Sequence, residues 1–416
     1  MKKTISTPEA LGFNTERLAR IKPLMQAYVD HRGFSGISTL VARRGEIVHA
    51  GQVGWQDRES KTPLTADTIY RLYSMTKPVV CVAAMTLFEE GKFQLSDPVA
   101  KFLPAFAKLR VLSAGADGAI SEADLVRPML IQHLFTHTSG LTYNFLEDSP
   151  VCALYRASNL GSNADNSLET MVAGIATLPL AHQPGTKFNY GLSIDVIARL
   201  IEVISGQTLQ EFLAERIFKP LGMADTAFSV APEKMTRLAT MYGHPDITTH
   251  TVSQMVEAWQ RGQNGRQDVD ATYPANNTTT FARGGHGLFS TALDYLRFAQ
   301  MLCNRGQLDG ARILAPSTVD FMYMNHLPSA MLPWEIGGVA NPGRGFGLGS
   351  SVAMDVAASG LPGAVGEHGW GGAAKTNFWV DPVNQIVGVF MTQFMFSMDR
   401  PDSDLHLLTY QALTED

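Results

Sequence analysis

Apolar positions recur at helical spacing through most of the chain, and strand signals gather mainly towards its two ends. Leu18, Ile21, Leu24, Met25 and Tyr28 predict an amphipathic helix over 14–31, closed by Gly33 and Gly36. Ile37 to Ala42 and Ile47 to Val53 read as two strands around Arg43-Arg44-Gly45-Glu46, a hairpin turn. Trp55 to Thr68 reads as a polar connection. Val79 to Phe88 is apolar on every side, which predicts a buried helix stopped at Gly91. A short helix to Phe102 follows, then a small hairpin within 109–127 that turns at Ala116-Asp117-Gly118-Ala119. Helical spacing returns at Met129 to Phe135, near 150–158 and 167–176, and strongly at Leu192 to Ile204 and Leu209 to Ile217. Residues 243–283 are polar and read as one long loop. Leu293 to Leu302 and Pro316 to Met324 are helical, and the pattern then turns to strands at Phe346 to Met354, Val365 to Gly369, Asn377 to Val380 and Ile386 to Gln393. A helix at 403–413 closes the chain.

Strands at both ends and helices between them predict an α/β (α+β) architecture. The N-terminal hairpin and the C-terminal strands join in one antiparallel sheet, covered by the terminal helices. The expected division is a discontinuous α/β domain, 1–79 with 290–416, and a mainly helical domain, 80–289. No internal repeat is visible.

Composition narrows the function classes. The 416 residues are 45% hydrophobic and 17% charged, with a net charge of −6, as a large globular core requires. Beyond Lys2-Lys3 no basic tract exceeds Arg43-Arg44, so nucleic acid is not an expected partner. Val79 to Phe88 is about half the length of a membrane span. The N-terminus lacks the apolar stretch of a signal peptide, and a cytoplasmic location without a membrane is expected. Cys81, Cys152 and Cys303 are odd in number and lack metal-ligand spacing, which fits free thiols in a reducing compartment.

Candidate chemistry starts at Ser74 and Lys77, three residues apart at the mouth of the buried helix and able to share a face. The helix N-terminus offers unpaired N–H groups to an oxyanion. A lysine at the foot of an apolar helix is placed to lose solvent and act as a base. The same spacing also fits a capping serine and a snorkelling lysine, and the tetrapeptide alone does not separate the two. Ser74 would sit at the seam between sheet and helices, where pockets form. Tyr190, just before the 192–204 helix, is a candidate partner in the base system. His368-Gly369-Trp370-Gly371-Gly372-Ala373 is glycine-rich and able to bring a strand N–H close to a ligand. Tyr143 is a candidate pocket residue.

The order Ser-x-x-Lys, tyrosine, glycine-rich strand resembles the class C β-lactamase and penicillin-binding-protein superfamily, and within it the family VIII carboxylesterases. The segments Leu40 to Val48, His133 to Leu141 and Gly284 to Thr291 are similar to further stretches of that family. The resemblance implies Ser74 as acylated nucleophile, Lys77 as its proton partner and Tyr190 as the tyrosine of a Tyr-x-Asn element. Trp370-Gly371-Gly372 would stand where β-lactamases carry Lys-Thr-Gly, with a second oxyanion N–H from Ala373 or a close neighbour. Leu192 replaces the asparagine of Tyr-x-Asn, and Trp370 replaces the lysine of Lys-Thr-Gly. Both changes remove polar grips on a β-lactam and suit a less polar ester. The expectation is a serine carboxylesterase acting on short-chain esters, with no cofactor and a small-molecule substrate. β-Lactamase, amidase and acyltransferase activities are the alternatives within the superfamily, and an inactive penicillin-recognition binding protein is the alternative outside it. Oligomeric state is not readable.

Several other features carry little chemistry. His133 and His137 stand four apart, but no third ligand accompanies them, so no metal is expected. No Gly-x-Ser-x-Gly elbow occurs, which argues against an α/β-hydrolase. Asp195 reads as fixing local structure. Gly345, Gly347 and Gly349 read as close sheet–helix packing.

Overall fold

A computed structural model describes residues 5–114, 119–276 and 280–414 of the chain. Its centre is an eight-stranded sheet made only from the two ends of the sequence. The strands are β1 (Gly36–Arg43), β2 (Glu46–Asp57), β3 (Thr62–Pro63), β4 (Arg344–Phe346), β5 (Ser351–Ala353), β6 (His368–Gly371), β7 (Asn377–Asp381) and β8 (Ile386–Thr392). They run in the order β4-β5-β6-β7-β8-β1-β2-β3. Every pairing is antiparallel, and the chain ends meet where Leu40 lies opposite Val389.

Alternation along the strands assigns the two faces. Ile37, Val41, Ile386 and Phe390 turn to one side, where they pack on α1 (Ile21–His31) and α5 (Pro401–Ala412). Leu40, Ala42, Val387 and Val389 turn to the other, onto the large core that contains α2 (Thr76–Glu89), α3 (Ser193–Ser205) and α4 (Ala292–Cys303). Most of α2 is buried, as an all-round apolar helix requires.

The N-terminal helix is broken in two, at Thr15–Leu18 and Ile21–His31. Pro23 lacks an N–H and cannot sit deep in a helix, and the restart at Ile21 places it in the first turn. The Trp55 to Thr68 stretch is less irregular than expected, because β2 runs on to Asp57 and β3 pairs with it. The long polar segment holds a helix, Val252–Gln260, capped reciprocally by Thr251 and Gln254. That Thr-x-x-Gln capping box was present in the sequence. Phe346 to Met354 is a hairpin and not one strand. Gly349 turns at φ 97°, and a Cβ there would collide with Cys81 Sγ of α2. β6 begins at His368, three residues later than expected, with Val365 in an exposed turn. The small hairpin pairs Arg110–Ala114 with Ile120–Asp124, and Ala116 to Gly118 of its expected turn lie outside the described residues. Among the described residues no helix is long and apolar enough to cross a membrane.

Candidate active site

Ser74 lies in a tight turn, Tyr73–Met75, that feeds directly into α2. Four long-range hydrogen bonds pin this turn. The Leu72 N–H donates to Leu288 O at 2.9 Å, and Thr376 Oγ1 donates to Leu72 O at 3.0 Å. Tyr295 Oη of α4 donates to Met75 O at 2.8 Å, and the Leu288 N–H donates to Thr76 Oγ1 at 3.2 Å. Tyr73 is held at φ 48°, a left-handed conformation costly for a bulky residue, about 1–3 kcal/mol. The surrounding bonds hold that elbow and present Ser74 Oγ to a pocket.

Three side chains converge there. Lys77 Nζ is 3.0 Å from Ser74 Oγ and donates to Gly285 O at 2.7 Å. Tyr190 Oη is 2.8 Å from Ser74 Oγ. Lys77 is 1% exposed, and its Nζ also lies 4.7 Å from the Tyr190 ring centre and 5.3 Å from that of Tyr143. One turn of helix sets the serine–lysine spacing. Tyr190 arrives from the other side, because the Asn189 N–H donates to His137 O at 2.7 Å and Asn189 Nδ2 donates to Leu141 O at 2.9 Å. The Tyr190 ring rests between His137, Tyr143 and Trp370, with centroids 4.8, 5.2 and 5.6 Å away.

A pocket of about 370 Å³ opens over Ser74. Tyr143, Tyr190, Trp370, Gly371 and Ala373 line it with Ser74. Gly372 lies behind the wall: a Cβ there would collide with the Leu72 carbonyl, so the bare backbone lets the end of β6 press against the serine turn. The Gly372 N–H is committed to Thr376 O at 2.7 Å, and this removes it as an oxyanion donor. His368 is not in the pocket, contrary to expectation. Strand alternation puts it on the Trp370 face but deeper in the core, stacked 3.6 Å from the Tyr323 ring centre, with Nδ1 3.0 Å from Gly366 O.

Other lining residues were not named as site candidates from the sequence, although Gly285 and His286 belong to the family-like segment Gly284 to Thr291. Gly285 supplies the carbonyl that holds Lys77, and His286 beside it faces the pocket. Burial, with the charges of Arg283 and Lys77, pushes the His286 imidazole down to about 3, so it is neutral and a poor base at pH 7. Trp334, Ile336, Val339 and Asn341 come from a small hairpin, Glu335–Ile336 with Val339–Ala340. Its Gly337-Gly338 turn between apolar residues was a readable signal, but nothing local says that it lines the same pocket as Ser74. No lysine, arginine, aspartate or glutamate lines the pocket among the described residues. Leu192 is buried in the core, 2% exposed. His133 Nδ1 accepts the Leu130 N–H at 3.1 Å, and His137 packs on Tyr190. Among the described residues no group of three or more His, Cys, Asp or Glu could hold a metal.

The description "Beta-lactamase" belongs to the family model that matches residues 21–412. The chain belongs to the beta-lactamase family. The resemblance read from Ser74, Lys77, Tyr190 and the glycine-rich strand is thereby borne out, as is the mixed α/β fold with its antiparallel sheet. Protein Rv1367c of Mycobacterium tuberculosis is 35% identical over 364 residues, 86% of each chain. Esterase EstB of Burkholderia gladioli is 30% identical over 383 residues, 90% of each chain. The solved structure of EstCE1, described as a hydrolase with promiscuous acyltransferase activity, superposes with a TM-score of 0.78 at 27% identity, covering 95% of this chain and 99% of that one. This member of the beta-lactamase family is a hydrolase with esterase and acyltransferase relatives.

Proposed function

We propose that the protein is a family VIII-type serine carboxylesterase that hydrolyses small uncharged esters through an acyl-enzyme on Ser74. The observation that carries this reading is the position of Ser74 Oγ, 3.0 Å from Lys77 Nζ and 2.8 Å from Tyr190 Oη, in a pocket whose lining among the described residues holds no Lys, Arg, Asp or Glu. Lys77 and Tyr190 together take the serine proton, and Oγ attacks the ester carbonyl. The oxyanion rests between the Ser74 and Ala373 N–H groups. The tetrahedral intermediate collapses, the C–O bond to the alcohol breaks, and the Tyr190–Lys77 pair protonates the leaving alkoxide. Water then attacks the acyl-enzyme, gives its proton to the same pair and releases the acid, returning the proton to Oγ. An alcohol in place of water would give a new ester. That second reading is favoured by the likeness to EstCE1.

A panel of short-chain p-nitrophenyl esters, with and without an added alcohol, tests the reading. Turnover that depends on Ser74 is expected, and a protein with neither turnover nor a serine adduct would instead be a binding module. The lining also predicts the response to β-lactams. Nitrocefin carries a carboxylate, and among the described residues no Lys or Arg lines the pocket to pair with it, Lys77 being engaged by Ser74 and Gly285. A charge-assisted hydrogen bond is worth about 1.5–3 kcal/mol, so its absence costs on the order of 10–100-fold in kcat/KM. Nitrocefin should therefore turn over far more slowly than p-nitrophenyl butyrate, and comparable specificity constants would refute the proposed preference.

A further inference from the structure

Asp195 is fully buried in the first turn of α3, at 0% exposure, beside a site whose mechanism does not use it. Its Oδ1 accepts the Gly285 N–H at 3.0 Å, and Oδ2 has no hydrogen-bond partner among the described residues. Burial raises its pKa, while the Gly285 N–H and then the charges of Lys77 and Arg283 pull it back. A carboxylate out of water without an ion pair is expensive, and its cost calls for a role. The backbone supplies one. Gly285, held at its N–H by Asp195, uses its carbonyl to hold Lys77 Nζ at 2.7 Å. The same carboxylate also fills the space a side chain would need: a Cβ on Gly285 would lie 2.5 Å from Asp195 Oδ2 and 2.7 Å from Tyr143 Oη.

We infer that Asp195 is a positioning residue for the Ser74–Lys77 pair, acting through the Gly285 backbone. It clamps Gly285 so that the carbonyl fixes the lysine head on Ser74 Oγ, and the absence of a side chain at 285 lets the clamp close. The inference rests on the serine-hydrolase reading for its kinetic consequence, but its geometric part stands independently.

The test compares Asp195→Ala, Asp195→Asn and Gly285→Ala. Asp195→Ala removes the acceptor, and a misplaced Lys77 should lower kcat about 10²-fold with KM little changed. Asp195→Asn keeps an acceptor oxygen and should recover most of that loss. Gly285→Ala should reproduce the loss while leaving Asp195 and Lys77 in the sequence, and it serves as the second route if Asp195→Ala does not fold. A crystal structure of a folded variant with lowered kcat should show the Gly285 carbonyl out of hydrogen-bond range of Lys77 Nζ. Wild-type kcat in Asp195→Ala or Gly285→Ala, an Asn variant as impaired as Ala, or an unmoved carbonyl would each overturn the assignment. Ser74→Ala is run beside them. If it keeps full turnover, the serine-hydrolase reading fails, and the crystal structure alone decides whether Asp195 holds Gly285.

Discussion

Ser74→Ala is expected to abolish the proposed ester hydrolysis, with Lys77→Met close behind. Loss of a serine nucleophile typically costs on the order of 10⁴–10⁶-fold in kcat. Ser74 is partly exposed at the pocket floor, and losing one oxygen leaves the four hydrogen bonds that pin its turn in place. The alanine variant should therefore keep the wild-type melting temperature. Lys77 is deeply buried, so methionine, which preserves its length and apolar stem, separates chemistry from packing better than alanine. The assay is p-nitrophenyl butyrate turnover together with intact mass after a serine-reactive phosphonate. One adduct is expected on the wild type and none on Ser74→Ala. An adduct of equal yield on the alanine variant would place the nucleophile elsewhere.

Tyr190→Phe should lower kcat about 10²–10⁴-fold, the usual contribution of a general acid–base group. The change removes only Oη. The ring keeps its contacts with His137, Tyr143 and Trp370, and fold stability should hold. Because Oη touches Ser74 Oγ and the site has no other hydroxyl at that distance among the described residues, the loss should appear in kcat with KM little changed. A rate near wild type would leave Lys77 as the base alone. A rise in KM with kcat intact would make Tyr190 a binding wall.

Sequence pattern carried the architecture far. The short apolar runs at 37–42, 47–53 and 386–393 became adjacent strands, buried on both faces of one sheet. The misses have physical causes. Pro23 moved a helix start, and Gly349 folded one expected strand into a hairpin so that the chain could pass Cys81. A real capping box at Thr251 was hidden by the polarity around it. His368 was assigned to the site because its segment was, but depth along a strand is not visible in a motif.

Local sequence alone determined the Ser74–Lys77 pair, since helical geometry brings positions three apart onto one face. The resemblance to the family, and not local geometry, is what made Leu192 and Trp370 read as lost polar grips. The tertiary structure decided everything that crosses the chain. It set Tyr190 at 2.8 Å from Ser74 Oγ across 116 positions, and the Gly285 carbonyl on Lys77 across 208. It also brought Trp334, Ile336 and Val339 of a distant small hairpin into the wall of the Ser74 pocket. Side-chain spacing within a helix follows from local backbone geometry, readable one turn at a time. Contacts between distant segments depend on how whole elements pack, and no short pattern encodes that distance.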